Sequence, residues 1–241
     1  MFWIKIKSLI NRKINYIVNR QAKSAQTNFS YNQLSNIFKE DVFIPMTSWS
    51  MSPNLILHVL NDIIINNRKC IVEFGAGAST IYIAKLLKMR GENTVFYSVE
   101  SDDSWSEIIK RQLESLGLSE FVKIILAPKQ KVLKQFAFKD QKIWYDCKLL
   151  KIGFENINNI DLVLVDGPSG DFTPYSRYSA VPFLKEKLTL NYSIFLDDTN
   201  RTQEKEIAAV WREILGSKLR FVDQYALLTG ENSFGFLPYR V

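Results

Sequence analysis

Histidine is almost missing from this chain: His58 stands alone among 241 residues. A catalytic histidine pair or a multi-histidine metal cage is therefore out of reach, and His58 itself falls in a stretch that reads as a packed helix. Cysteine is nearly as scarce. Cys70 and Cys147 stand at no metal-like spacing, which argues against a disulfide scaffold and against a zinc site, and suits a reducing, cytoplasmic setting. No apolar run reaches the roughly 18 residues of a membrane span, and charges interrupt the hydrophobic N-terminus before a secretory core can form. Acid is absent from the first 39 residues, which hold Lys5, Lys7, Arg12, Lys13, Arg20, Lys23 and Lys39. The net charge of +6 thus belongs to an arm, since the remaining basic groups nearly balance the 25 acidic ones. What is present, 46% hydrophobic and 23% charged residues, is ordinary for one globular domain with an appendage.

Within the arm, Trp3, Ile6, Ile10, Ile14 and Ile17 recur at steps of three and four, and Lys5, Ser8, Arg12, Asn15 and Asn19 take the opposite face. That is an amphipathic helix with a basic flank. It suits peripheral contact through residues 1–20 with an anionic membrane at its inner face, Phe2 and Trp3 serving as interfacial anchors. Packing on its own domain or on a second subunit is the alternative. With no basic surface legible elsewhere to continue the arm, no nucleic-acid partner is expected. The polar stretch "QAKSAQTNFSYNQ" (21–33) reads as a linker. The division that results is an arm and linker over 1–39 and a domain over 40–241.

From Trp49 onward the pattern is regular. "SPNLILHVLNDIIINN" reads as a helix capped by Ser52 with Pro53 in its first turn. Strand "KCIVEFG", helix "ASTIYIAKLLKMRG" closed by Gly91, strand "TVFYSVE", helix "SWSEIIKRQLESLG" and strand "VKIILA" follow. A fourth strand, "IDLVLVDG", is apolar throughout, as a strand covered on both faces should be. Helix "AVPFLKEKLT", strand "YSIFLDD" and helix "RTQEKEIAAVWREIL" come next. "LRFVDQYALLTG" and "NSFGFLPY" close the chain as two strands joined at Gly230-Glu231-Asn232. The alternation predicts an α/β fold: a seven-stranded, mostly parallel Rossmann-like sheet, helices on both faces, and a C-terminal antiparallel hairpin.

In such a sheet, ligands bind beyond the carboxyl ends of the strands. "IVEFGAGAST" (71–80) lies there, between a strand and a helix, with small residues that let backbone approach closely. A dinucleotide would want a third glycine where Thr80 stands, and Glu73 would repel a pyrophosphate while favouring an ammonium and a sulfonium. The pattern acid-x-G-x-G-x-S/T resembles the first motif of class I S-adenosylmethionine-dependent methyltransferases. The resemblance covers about residues 50–241 and includes "VFYSVES", "LVLVDGP" and the final hairpin. It implies S-adenosyl-L-methionine as cofactor, held by Glu73, Gly75, Gly77, Ser79, Thr80, Glu100, Ser101 and Asp166, with Glu100 on the ribose hydroxyls. A carboxylate can accept two hydrogen bonds from a vicinal diol. Ser79 and Thr80 can alternatively be helix caps.

At the acceptor end, Asp166 closes the fourth strand, and Asp197 and Asp198 close the fifth in "FLDDTNR". Neighbouring strand ends lie about 5 Å apart, so three carboxylates converge, and a Mg²⁺ ion bound by Asp166, Asp197 and Asp198 would relieve their repulsion. That layout is similar to metal-dependent O-methyltransferases, including those acting on sugars, although the Asp-Gly-Pro turn of "DGPSGDFTPYSRY" departs from them. The alternative has Asp166 and one of the pair as base and cap, with Arg177 or Arg201 as ion-pair partner. Asp166, Asp198 and Arg201 are the catalytic candidates. Trp49, Tyr145, Arg177 and Tyr178 are candidates for stacking on and holding the acceptor. The motifs together resemble bacterial surface-glycan methyltransferases, which implies O-methylation of a sugar, either a small molecule or a lipid-linked glycan. A nicotinamide-dependent oxidoreductase and a non-catalytic, membrane-associated glycan-assembly factor are the competing readings.

Overall fold

A computed structural model describes residues 2–38, 42–170, 173–231 and 234–239, with the side chains of residues 2–10 and 19 left out. The elements in chain order are α1 (Phe2–Ser35), α2 (Pro53–Ile65), β1 (Cys70–Phe74), α3 (Ala78–Arg90), β2 (Val95–Glu100), α4 (Asp103–Ser115), β3 (Lys123–Leu126) and β4 (Lys129–Lys131). They continue with β5 (Ile143–Tyr145), α5 (Cys147–Gly153), β6 (Ile160–Val165), α6 (Ala180–Leu184), β7 (Leu188–Leu196), α7 (Thr202–Leu215), β8 (Lys218–Val222) and β9 (Tyr225–Thr229). Seven strands form one sheet in the order β3-β2-β1-β6-β7-β9-β8, and β4 pairs with β5 in a separate ribbon. Pairings from β3 through β7 are parallel, and those of β9 with β7 and β8 are antiparallel. The order reverses between β1 and β6, which opens a crevice beyond their carboxyl ends.

Alternation along the strands fills two cores. Ile71, Phe96, Leu162, Leu164, Phe195, Tyr225 and Leu227 face α2, α3 and α4. Val72, Phe74, Val99, Val163, Val165, Ile194, Leu196 and Leu228 face α5, α6 and α7. His58 lies in the first of these cores, its Nδ1 2.8 Å from the Tyr225 hydroxyl, and burial pushes it down to about 3. It is structural, as its place in the sequence suggests. Cys70 and Cys147 are both buried, unpaired thiols.

Three sequence expectations need correction. The supposed linker 21–33 is helix, part of the 34-residue α1. It contains no glycine or proline, and its end is fixed by packing: Ser30 and Leu34 are buried, Lys23 pairs with Asp223 at 3.2 Å, and Asn54 donates to Asp223 at 3.0 Å. The side chains of Trp3, Ile6, Ile10 and Asn19 lie outside the described residues, but Ile14, Tyr16, Ile17 and Val18 are exposed. The terminal hairpin turns at Asp223-Gln224, with Val222 paired to Tyr225, so "LRFVDQYALLTG" supplies both of its strands. The described part of "NSFGFLPY" is irregular instead, and Phe236 plugs the core beside His58. The helix expected over "AVPFLKEKLT" stops at Leu184 and β7 starts at Leu188, four residues early. No described helix is long and apolar enough to cross a membrane.

Candidate functional site

The glycines of "FGAG" serve a backbone-to-backbone contact. The Phe74 carbonyl accepts from the N–H groups of both Asp166 and Gly167, at 2.9 and 2.8 Å, and Gly75 N–H donates to the Val99 carbonyl at 2.8 Å. Gly75 sits at φ +98°, where only glycine is unstrained, and a Cβ there would lie 2.9 Å from the Gly167 nitrogen. A Cβ on Gly167 would meet the Tyr145 hydroxyl at 2.3 Å. The ends of β1 and β6 are thus pressed together beneath the crevice. Gly77 caps α3 with open space where its Cβ would be.

Above this floor lies a cavity of about 480 Å³. Its walls include Trp49, Gly75, Gly77, Ser79, Glu100, Ser101, Tyr145 and Asp166, eight of the residues expected from sequence. Glu100 ends β2 with one oxygen, Oε1, accepting from the N–H groups of Ser101 and Asp102 at 2.6 and 2.8 Å. Among the described residues, its other oxygen, Oε2, accepts only the Ala76 N–H, at 3.2 Å, leaving acceptor capacity toward the cavity. Burial raises the Glu100 carboxyl, against the pull of the amides of Asp102, Ser101 and Ala76.

Glu73 is placed differently from expectation. It is fully buried beneath the loop rather than in the cavity wall, and accepts from Ser79 Oγ at 2.5 Å, Thr80 Oγ1 at 2.5 Å and Ser98 Oγ at 2.6 Å. Burial pushes it up to about 7, with the three hydroxyls opposing. Thr80 also accepts the Gly77 N–H at 2.9 Å. Glu73 and Thr80 therefore act as the clamp that shapes the glycine loop, and Ser79 both clamps and lines the cavity.

Asp166, Asp197 and Asp198 do converge, but Arg177 occupies the place imagined for a metal ion. Its Nη2 donates to Asp166 Oδ1 at 2.9 Å and to Asp198 Oδ2 at 2.7 Å, and its Nη1 to the Asp197 carbonyl at 3.0 Å. Arg201 adds a contact to Asp198 at 3.1 Å. Asp197 Oδ1 is taken by the Asp198 N–H at 2.8 Å. Among the described residues, no group of three or more acidic, histidine or cysteine side chains is disposed to hold a metal. The donor set does not fit Mg²⁺, because the guanidinium already cancels the repulsion that would have recruited it. Burial pushes Asp166 up to about 6, with Arg177 opposing and Asp198 adding to the rise. Burial and the Asp166 charge push Asp197 up to about 7.

Of the acceptor candidates, Trp49 stands at the rim, 74% exposed, and Tyr145 closes the floor. Arg177 and Tyr178 do not line the cavity: Arg177 is buried in its ion pairs, and Tyr178 stacks on Phe138 with ring centres 4.5 Å apart. Asp198 and Arg201 lie behind Asp166, outside the wall.

Other wall residues carried no expectation, Trp105, Asp102 and Lys129 among them. The Trp105 indole N–H donates to the Ala76 carbonyl at 2.7 Å, laying its ring along the glycine loop. Asp102, the cap of α4, accepts from the Trp105 N–H and fixes that turn. The signal in sequence is an acid cap three residues before an aromatic, a pattern shared with ordinary helix starts. Lys129, on the short strand β4, reaches the cavity only through tertiary pairing with Tyr145 on β5.

The family model described as a methyltransferase domain matches residues 72–199. No curated protein matches the chain in sequence. Among solved structures, the chain is similar to a precorrin-6y C5,15-methyltransferase from Geobacter metallireducens GS-15, at TM-score 0.55 and 14% identity over 80% of this chain and 96% of that one. It is also similar to an O-methyltransferase from Bacillus cereus in complex with SAH, at TM-score 0.54 and 13% identity over 86% and 91% of the two chains. A third is the O-methyltransferase TomG from Streptomyces achromogenes in complex with SAM, at TM-score 0.52 and 13% identity over 88% and 89%. Identities this low speak for the fold. The family match spans more than half of the chain, from the middle of β1 past the end of β7, and with it the protein belongs to the methyltransferase-domain family of class I S-adenosylmethionine-dependent methyltransferases.

Proposed function

We propose that the protein transfers a methyl group from S-adenosylmethionine to a hydroxyl of a sugar or glycan. The observation that carries the donor half is Glu100: a carboxylate in the cavity wall at the end of β2, with one oxygen saturated by backbone amides and the other turned to the cavity. Such a group accepts hydrogen bonds from a ribose diol and favours a cationic ligand. The open face of Gly77 leaves room beside it. When bound, S-adenosylmethionine supplies a methyl group on positively charged sulfur. Asp166, at the neighbouring strand end, accepts the proton released by the acceptor hydroxyl. The Arg177 guanidinium favours its ionised form against the rise caused by burial, and fixes its orientation. Most of the acceleration comes from holding the hydroxyl in line with the methyl group. No metal step is included, since Arg177 takes that position.

The sugar class is supported by the exposed indole of Trp49 at the cavity rim, a face on which a sugar ring can stack. The O-methyltransferase neighbours accord with a hydroxyl acceptor. The arm adds a location: exposed Ile14, Tyr16, Ile17 and Val18 beside basic residues suit peripheral contact with an anionic membrane, where lipid-linked glycans reside.

Calorimetry decides the donor half. Wild-type protein should bind S-adenosylhomocysteine, and Glu100→Ala should lose at least about tenfold in affinity, the cost of one charged hydrogen-bond acceptor. Undiminished affinity in that variant, or preference for NAD⁺, would overturn the reading. Transfer of labelled methyl to a panel of sugars tests the acceptor half.

A further inference from the structure

The β4–β5 ribbon gathers lysines that are scattered in sequence. Lys129, Lys131, Lys134, Lys139 and Lys142 line one open cleft of about 620 Å³, and the sole acid between the first and last of them is Asp140. Lys139 is engaged by Glu206 and lies against the ring of Tyr175. Lys131, Lys134 and Lys142 are exposed, and among the described residues no ion pair holds them. A lysine-rich loop alone is ordinarily a solvated face. Here a second observation gives it direction: Lys129 lines both this cleft and the methyl-donor cavity.

The ribbon's register explains the continuity. Lys129 pairs with Tyr145 and Lys131 with Ile143, so positions two apart repeat along one face. Lys129 and Tyr145 form the cavity end of that face, and Lys131 and Ile143 the cleft end, about 7 Å further on. A molecule whose hydroxyl sits beside Asp166 thus has a path past Lys129 into a pocket of positive charge. A neutral sugar gains nothing from three unpaired ammonium groups, whereas a phosphoryl group binds them as point charges.

We propose that this cleft is the acceptor's anion subsite, and that the methylated molecule carries a phosphoryl or pyrophosphoryl group set apart from its reacting hydroxyl, so that it reaches past Lys129 into the cleft. The proposal rests on the methyltransferase reading for the identity of the ligand, though the anion site itself does not.

The test uses the full-length, ¹⁵N-labelled protein titrated with inorganic pyrophosphate and with glucose 1-phosphate. Amide shifts should concentrate in residues 129–142, and affinity should fall as salt rises. The triple variant Lys131→Gln, Lys134→Gln, Lys142→Gln should bind pyrophosphate at least about tenfold more weakly while keeping S-adenosylhomocysteine affinity within about twofold. Labelled methyl should pass to phosphorylated hexoses in preference to the matching free hexoses, and the triple variant should lose that preference. Unchanged pyrophosphate affinity in the variant, shifts centred elsewhere, or equal methylation of free hexoses would overturn the proposal. Shifts in the cleft induced by equal-part phosphatidylglycerol and phosphatidylcholine vesicles, but not by pyrophosphate, would overturn it in favour of a lipid surface. Failure of wild-type protein to bind S-adenosylhomocysteine would instead sink the methyltransferase reading and leave the anion titration standing.

Discussion

Four neighbouring strands, β2, β1, β6 and β7, end near carboxylates, and the two halves of that row neutralise them by different chemistry. On the β1–β2 side, Glu73 and Glu100 are satisfied mainly by the hydroxyls of Ser79, Thr80 and Ser98 and the amides of Ala76, Ser101 and Asp102, all uncharged donors. On the β6–β7 side, Asp166 and Asp198 share one guanidinium. Uncharged donors stabilise an anion without cancelling its field, so the first half remains attractive to a cationic ligand. Arg177 cancels the field of the second half and fixes the orientation of its carboxylates. In the proposed function the same residue type serves as a binding group on one side and a positioned proton acceptor on the other, and the partners set the difference.

By that contrast, the largest effect falls on the guanidinium. Arg177→Met should leave Asp166 and Asp198 without counter-charge and cost about 3–5 kcal/mol in urea unfolding, the range for breaking a buried ion pair. Part of the loss should return when Asp166→Asn is added. A loss no larger than that of a surface substitution would erase the distinction between the halves.

The hydroxyl clamp predicts a pH signature next in size. Glu73 is raised from 4.5 to about 7 in the folded state, so the folded protein favours its protonated form. That contribution is fully present below about pH 4.5 and is lost as pH rises through about 7. Relative to Glu73→Gln, which cannot titrate, the wild type should lose about 3 kcal/mol across this window. Urea midpoints of both proteins at half-unit pH steps measure it; a constant difference would show that the clamp does not hold a titrating carboxyl.

Smaller again is the Trp105 contact. Trp105→Leu keeps an apolar side chain in α4 but removes the N–H bond to Ala76, at a cost of about 1 kcal/mol and a several-fold loss of S-adenosylhomocysteine affinity by calorimetry. Deleting residues 1–22 should change unfolding by less than about 0.5 kcal/mol, because the described side chains there are exposed. It should still abolish sedimentation with anionic vesicles. Retained vesicle binding would point to another surface.

The fold was largely legible because its signals are local. Short apolar runs marked β1, β2, β6 and β7, Ser52 and Gly91 marked helix ends, and the parallel order follows from strands alternating with helices. Weak segments misled. "KQK" and "IWY" are too short to announce a ribbon, and only their mutual pairing makes them strands. The polar 21–33 stretch is held as helix in part by Asp223 and the core around Leu34, contacts far off in sequence.

The candidate site divides in the same way. Sequence alone determined which acids and glycines stand at the strand ends, because position in an alternating α/β chain fixes which end of the sheet a loop occupies. Tertiary structure decided what each acid does. Glu73 points under the loop because three hydroxyls converge there. Arg177, eleven positions beyond Asp166, folds back between carboxylates from two strands and takes the space of a metal. Lys129 meets the cavity because β4 is paired with β5. Hydrogen-bond partners and counter-charges come from distant segments of the chain, and only packing brings them within the 3 Å at which they set a group's charge and direction.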